Sequence, residues 1–268
     1  MRVQANGSKV NALRSKIGAF GCTLPLPSVC PLLEFYFQLV AEKRPLSMNA
    51  SPSIPFFCLV ACSLLAGCAT TLSAPKKERL QADLAQMHQV DQVAAYIPQG
   101  KYKAYSPARW EGFKDSVYTS NKERAERLFK KYGFLGFKQV GPEGSTQFWL
   151  LVQHCDKYPA FQRAVLLAMD RAVKKGNAKP SDYALLYDRV QVNAGLKQSF
   201  GTQLTYEVNT TGRAIPKIGL LDSAHVDQRR KAYQLGPLKD YLNMMTSMHF
   251  EMNKARYEQR GVFKPNLY

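Results

Sequence analysis

This 268-residue chain is short of the features that most readily betray chemistry. Its four histidines, His88, His154, His225 and His249, form no H-x-x-x-H or similar pair, so no helical zinc site is expected. There is no glycine-rich phosphate loop, G-x-S-x-G elbow or EF-hand loop, and no cofactor or metal is implied. No nucleic-acid-binding motif occurs, so nucleic acid is not an expected partner. Apolar runs are short as well: the uncharged stretch from Ile54 to Gly67 (IPFFCLVACSLLAG) falls below the about 20 residues needed to span a bilayer.

That stretch does have the length of the apolar core of a secretory signal, roughly 7–15 residues. It ends in Leu65-Ala66-Gly67-Cys68, where small residues admit a signal peptidase and the Cys68 thiol can carry a diacylglycerol. The expected mature chain runs from lipid-modified Cys68 to Tyr268. Its cysteines then reduce to Cys68 and Cys155, so no intramolecular disulfide is expected and the domain must hold together through its core. Residues 1–39 read as an upstream extension foreign to the native protein, and 40–67 as the lipoprotein signal peptide with Lys43 and Arg44 at its charged start. Translation from Met48 is the alternative and would leave the signal without Lys or Arg. Residues 68–76 read as a lipidated tether, 77–258 as a helical domain and 259–268 as a C-terminal tail. Ala69, rather than aspartate, after the cysteine points to the outer membrane, facing the periplasm.

From Cys68 onward 31 Lys/Arg face 18 Asp/Glu, a net +13 over 201 residues. Such a balance favours acidic neighbours: anionic lipid head groups, lipopolysaccharide, acidic glycan or an acidic protein partner. The basic residues are spread among helices, as in Arg124, Arg127, Lys130 and Lys131 or Arg171, Lys174 and Lys175. Solvated helix faces explain that spacing, and a binding stripe is the competing explanation.

Leu80, Leu84, Met87 and Val90 or Val93 recur at helical spacing and predict a helix from Lys77 to about Tyr96, broken by Pro98 and Gly100. A loop rich in Tyr and Lys leads to helices around 109–117 and 121–132, the second opened by a Ser120-x-x-Glu123 capping box and closed at Gly133. Thr146–Cys155 (TQFWLLVQHC) shows no alternation and predicts a buried central helix, and Pro159–Lys175 predicts another. Ser181 or Asp182 caps a helix that runs to Gly195, residues 203–215 suggest a hairpin, and helices follow near 225–233 and from Pro237 to about Glu258. The expected fold is therefore mainly α, a single compact helical domain with a small β-hairpin.

The strings WLLVQHCD at 149–156, Phe161-Gln162, LLYDRVQVNAG at 185–195, Gln198, Gly201-Thr202-Gln203 and VDQRRKAYQLGPLKDYL at 226–242 stand in an order that resembles a bacterial family known only as domain of unknown function 6624. Asp91-Gln92, Asn121, and the stretch from Tyr132-Gly133-Phe134 to Val140-Gly141 fit the same pattern. The resemblance spans about 90–242 and implies no established activity. The chain departs from it at Cys155, where a small residue is expected, in lacking an arginine soon after Asp91-Gln92, and in a longer spacer from Tyr96 to Ser120.

These apolar helices carry Gln153, His154, Asp156, Gln162, Asp188, Arg189, Gln203 and Arg230. An unpartnered buried polar group costs about 1–3 kcal/mol, so such residues must satisfy one another or line a wet pocket. One expectation is a locking network in which Asp188 pairs with Arg230, or Asp227 with Arg189, while Gln162 and Gln203 close backbone gaps. The other is a cleft in which His154 is oriented by Asp156 or Asp188. There Arg189 or Arg230 would hold an anionic group, Gln153 and Gln162 would contribute amides, and the Gly201-Thr202-Gln203 turn would supply donors. That cleft would bind an anionic envelope ligand or partner or, alternatively, run a hydrolysis with His154 as general base. Cys155 is expected to be a buried, inert thiol, because neighbours on a helix point about 100° apart and give no Cys-His dyad.

Overall fold

The computed structural model describes residues 72–268; the segment read as a signal peptide and Cys68 lie outside the described residues. Helix α1 (Ala74–Ala95) leads through a 3-10 turn (Gly100–Ala104) to α2 (Pro107–Tyr132), α3 (Phe137–Gln153), α4 (Pro159–Lys174) and α5 (Pro180–Asn193). Strands β1 (Leu204–Tyr206) and β2 (Ala214–Pro216) form an antiparallel hairpin with Thr205 opposite Ile215. Helices α6 (Val226–Ala232), α7 (Leu238–Met252) and α8 (Lys254–Glu258) close the chain. The fold is mainly α with one small hairpin, as the periodicity implies. Among the described residues no helix is long and apolar enough to cross a membrane.

Helices α1 to α5 run alternately up and down. Gln81 of α1 donates to Val140 O at the start of α3, and Asp91 meets His154 at its end, so α1 and α3 are parallel. Asn121 of α2 donates to Met87 O, and the short link 133–136 places the end of α2 beside the start of α3, so α2 is antiparallel to α1. The turn after α4 returns to the start of α3, where Asn177 O accepts from Phe137 N–H. Helix α5 again follows α3, from Thr146–Asp182 at one end to Arg189–Asp156 at the other. One pole of the bundle therefore gathers the start of α1, α3 and α5 with the end of α2 and α4; the opposite pole gathers the reverse set.

Between the poles lies the core: Leu80, Leu84 and Met87 from α1, Ala125 from α2, Phe148 to Val152 from α3, Val165 and Met169 from α4, and Leu186 and Val190 from α5. Each large apolar side chain buried there contributes about 1.5–3 kcal/mol. Two smaller clusters organise the C-terminal region, and the second joins it to this bundle. Ala214, Val226, Leu238 and Leu242 pack beneath the hairpin, and Phe200 and Leu235 pack on Ala184 of α5.

Three local expectations are corrected. The helices expected at 109–117 and 121–132 are one helix, whose buried face runs unbroken through Trp110, Val117, Asn121 and Ala125. Its cap is Ser106, whose Oγ accepts from Arg109 N–H, while Ser120 stands mid-helix. Helix α3 begins well before Thr146, with a bend at Gly141 (φ 73°) that accommodates Pro142. Helix α5 opens with Pro180, and Ser181 and Asp182 lie buried inside its first turn without capping it. On α1, Val90 is exposed, and the next place on the apolar stripe after Leu80, Leu84 and Met87 belongs to Asp91, which is fully buried.

Candidate functional site

His154 terminates α3, where the chain turns at Cys155 toward α4. Its Nδ1 lies 2.7 Å from Oδ2 of Asp91, which also accepts from Gln92 Nε2 at 3.1 Å. Asp91 has no exposed surface, and its second oxygen, Oδ1, has no hydrogen-bond partner among the described residues. With Nδ1–H donated to this carboxylate, the basic nitrogen of the ring is Nε2. The imidazole is 18% exposed.

That imidazole lines a cleft of about 230 Å³ together with Glu111, Lys114, Asp115, Tyr118 and Thr119 of α2, Asp156, Lys157 and Tyr158 of the α3–α4 turn, and Arg189 of α5. The Tyr118 ring lies 5.5 Å from the His154 ring. Burial, reinforced by Asp91, pushes the Tyr118 phenol up to about 12, so it stays a hydrogen-bond donor at neutral pH. Every cation on the cleft wall has a carboxylate partner. Lys114 meets Glu111 and Lys157 meets Asp115, both at 2.7 Å, and Arg189 grips both oxygens of Asp156 at 2.7 and 2.6 Å.

Asp156 is therefore the partner of Arg189 and not the orienter of His154. Asn193 and Gln162 also donate to it. Burial pushes its carboxyl up, but Arg189 and these amides outweigh burial and hold it below the usual carboxylate range. Gln162, fully buried, also donates to the carbonyls of Val152 and Gln153 and so caps the end of α3, where helical partners run out. Gln153 itself is buried, with Oε1 unpartnered among the described residues. Cys155 is 2% exposed, donates to Leu151 O and has its thiol pushed up to about 12 by burial, which makes it inert.

The remaining expected site residues lie elsewhere. Asp188 does not orient His154: its carboxylate accepts the backbone N–H groups of Ser199, Phe200 and Thr202 and the Thr202 hydroxyl. Arg230, 1% exposed, donates to Phe200 O and Gly236 O, so it braces the same loop and offers nothing to the cleft. Gly201 (φ 68°) faces Leu238, Leu220 and Pro216, and a Cβ there would approach Leu238 to 3.0 Å. Thr202 gives its carbonyl to Tyr241, and Gln203 bonds Gln198 and Leu185. The Gly201-Thr202-Gln203 turn is thus a packed joint. Asp227 accepts from Leu238 N–H, so the alternative Asp227–Arg189 pair does not form.

Asp91 and Tyr118 stand at the site without having been expected there. A signal for Asp91 was present, since a carboxylate occupies the i+4 step from Met87 on an apolar stripe. Among the described residues there is no cluster of three or more His, Cys, Asp or Glu side chains arranged to hold a metal ion.

Fold and site together define a helical-bundle protein with a buried Asp–His pair opening on a polar cleft at one pole. The chain belongs to a family of unknown function, DUF6624, whose model matches residues 78–251 and so covers both the pair and the cleft. No curated protein and no solved structure matches it.

Proposed function

We propose that this chain is a lipid-anchored envelope hydrolase in which His154, held by Asp91, is the general base. The observation that carries the proposal is the 2.7 Å contact from Nδ1 to a fully buried carboxylate on an imidazole that also lines an open cleft. A histidine kept only for packing has no need of a cleft. In this arrangement Asp91 fixes the tautomer, Nε2 takes a proton from water as the water oxygen bonds to the electrophilic centre, the Tyr118 phenol donates to the oxygen on which charge develops, and the imidazolium returns the proton to the leaving group as its bond breaks. Positioned proton transfer of this kind is worth roughly 10²–10⁴-fold in rate.

The paired lining bears on the substrate. With Lys114, Lys157 and Arg189 each matched by a carboxylate, the cleft offers donors and acceptors together and suits a neutral or zwitterionic polar group better than a simple anion. Binding without turnover is the second reading, and the bidentate Arg189–Asp156 pair favours it as a ready docking fork. Anchoring rests on the Leu65-Ala66-Gly67-Cys68 box, with the outer membrane as the proposed destination.

Hydrolysis of chromogenic esters, amides and phosphodiesters by the wild type, His154→Ala and Asp91→Asn tests the chemistry. Both folded variants are expected to lose roughly 10²–10⁴-fold of any activity found; an activity untouched by His154→Ala removes the hydrolase. A ligand that shifts wild-type melting but is never turned over supports the binding reading. Anchoring is checked by the mass of the membrane-bound chain, which should carry acyl chains that Cys68→Ala lacks.

A further inference from the structure

The pole opposite the cleft carries charge of a different kind. Lys130 and Lys131 close α2, Lys174 and Lys175 close α4, Lys138 lies in the first turn of α3, and Lys179 immediately precedes α5. The first six residues of α1, APKKER, add three basic side chains and one acidic. The segments 74–79, 129–138 and 170–182, which make up this pole, hold ten Lys/Arg against three Asp/Glu, and one of the three is the buried Asp182. Lys131, Lys138 and Lys175 are exposed, and none has a carboxylate within ion-pair distance among the described residues.

Helix electrostatics accounts for only part of this. Cations at the ends of α2 and α4 complement the helix dipole, but the starts of α1 and α5 meet at the same pole and favour negative charge there. Helix α1 has no acidic residue in the first turn, and Lys76 and Lys77 stand close to its start. The result is basic helix ends beside positive helix dipoles, an arrangement that works against folding and in favour of an anionic surface.

The position of the chain identifies that surface. The described structure begins at Leu72, directly before α1, so the preceding segment joins the molecule at this pole. The uncharged run from Ile54 to Gly67 ends only seven residues before Ala74, a distance of at most about 25 Å fully extended. We infer that this pole seats on an anionic lipid surface, with lysines against the phosphate-bearing head groups and the Asp91–His154 cleft held away from it. The unbroken part of α3, Pro142–Gln153, is 12 residues and so about 18 Å long, and it separates the two. This orientation is independent of the chemistry in the cleft and does not require acylation at Cys68.

The test is binding of the purified full chain to vesicles of phosphatidylcholine alone and of phosphatidylcholine mixed with phosphatidylglycerol. The apolar segment contributes to both, so the ratio isolates charge. The wild type is expected to prefer anionic vesicles at least tenfold at low salt and to lose that preference at high salt. The triple variant Lys131→Glu/Lys138→Glu/Lys175→Glu should lose most of it, while the matched Lys197→Glu/Lys217→Glu/Lys239→Glu, on the C-terminal region, should keep it. Glutamine replaces glutamate at the same positions if circular dichroism shows the reversed chain unfolded. Equal loss in both triple variants would reduce the effect to net charge and overturn the proposal, as would an unchanged ratio in the pole variant. Tighter binding to a duplex oligonucleotide than to anionic vesicles would overturn the assignment to lipid.

Discussion

Asp188 and Arg189 are adjacent on α5 and serve two different regions. Asp188 turns inward to collect three loop amides and a hydroxyl, and Arg230 braces that loop from α6. Arg189 turns to the cleft and pairs with Asp156, 44% exposed, beside the Asp91–His154 contact. In the joint, polar atoms are matched to backbone partners and sealed, as stability requires. In the cleft, a fully buried carboxylate keeps one oxygen unpartnered among the described residues and the imidazole is partly exposed, a placement that stability does not favour. The difference teaches that the polar residues shared by one motif string divide into those that build the domain and those that it displays.

The largest expected effect falls in the joint. Asp188→Ala leaves the amides of Ser199, Phe200 and Thr202 buried without an acceptor and should cost about 3–5 kcal/mol in urea unfolding. Whatever the cleft does should be unchanged per folded molecule. A cost below about 1 kcal/mol would erase the distinction between the two regions.

Asp182 sharpens it from a third position, since it is sealed like the joint but poorly matched. Burial pushes its carboxyl up to about 7, against Lys179 and a single bond from Thr146, and its Oδ1 has no hydrogen-bond partner among the described residues. The folded state therefore keeps a proton that the unfolded chain releases near 3.8. The stability tied to that proton is complete below about pH 4 and is lost as the pH rises to about 7. Asp182→Asn cannot ionise, so it should match the wild type at pH 4 and exceed it by about 4 kcal/mol at pH 8. Parallel stability curves across that range would show that Asp182 is ionised in the fold throughout.

Asp91→Asn inverts the behaviour of Asp188→Ala. It keeps the shape of a buried group while removing its charge, so stability should change by less than about 1 kcal/mol in either direction. Any hydrolysis found should fall by roughly 10²–10⁴-fold, because an uncharged amide no longer stabilises the imidazolium and can turn its NH2 to Nδ1, which selects the other tautomer. A strongly destabilised but fully active Asp91→Asn would move the Asp91–His154 pair into the structural class.

How much of this was legible in the sequence follows from the same division. The helices were, because Leu80, Leu84 and Met87, or Pro159 through Lys175, are set by local periodicity and end signals. The Ser120-x-x-Glu123 box misled because a continuous buried face from Trp110 to Ala125 outweighs one capping signal. His154, Asp156 and Arg189 were legible as cleft residues, since polar side chains stood against an apolar helix. Asp188, Arg230 and the Gly201-Thr202-Gln203 turn gave the same signal and belong to the joint: a polar residue on a buried face announces a polar partner or a cleft, and does not say which. Asp91 lies 63 residues from His154, and that pairing depends on the parallel packing of α1 on α3, which no local pattern encodes.

The smallest expected effect probes the rim. Arg189→Lys keeps the positive charge but replaces a two-pronged grip on Asp156 with a single point contact. Because both partners are partly exposed, the loss of stability should be only about 0.2–1 kcal/mol. Asn193 and Gln162 still hold Asp156 in place. If the fork serves only to tie α5 to the α3–α4 turn, that small loss is the whole consequence. If it docks a ligand, KM should rise severalfold with kcat unchanged, since binding common to ground and transition states is what a docking group supplies. A fall in kcat at constant KM would instead bring Arg189 into the reaction itself and place the acting group on the rim as well as at the Asp91–His154 pair.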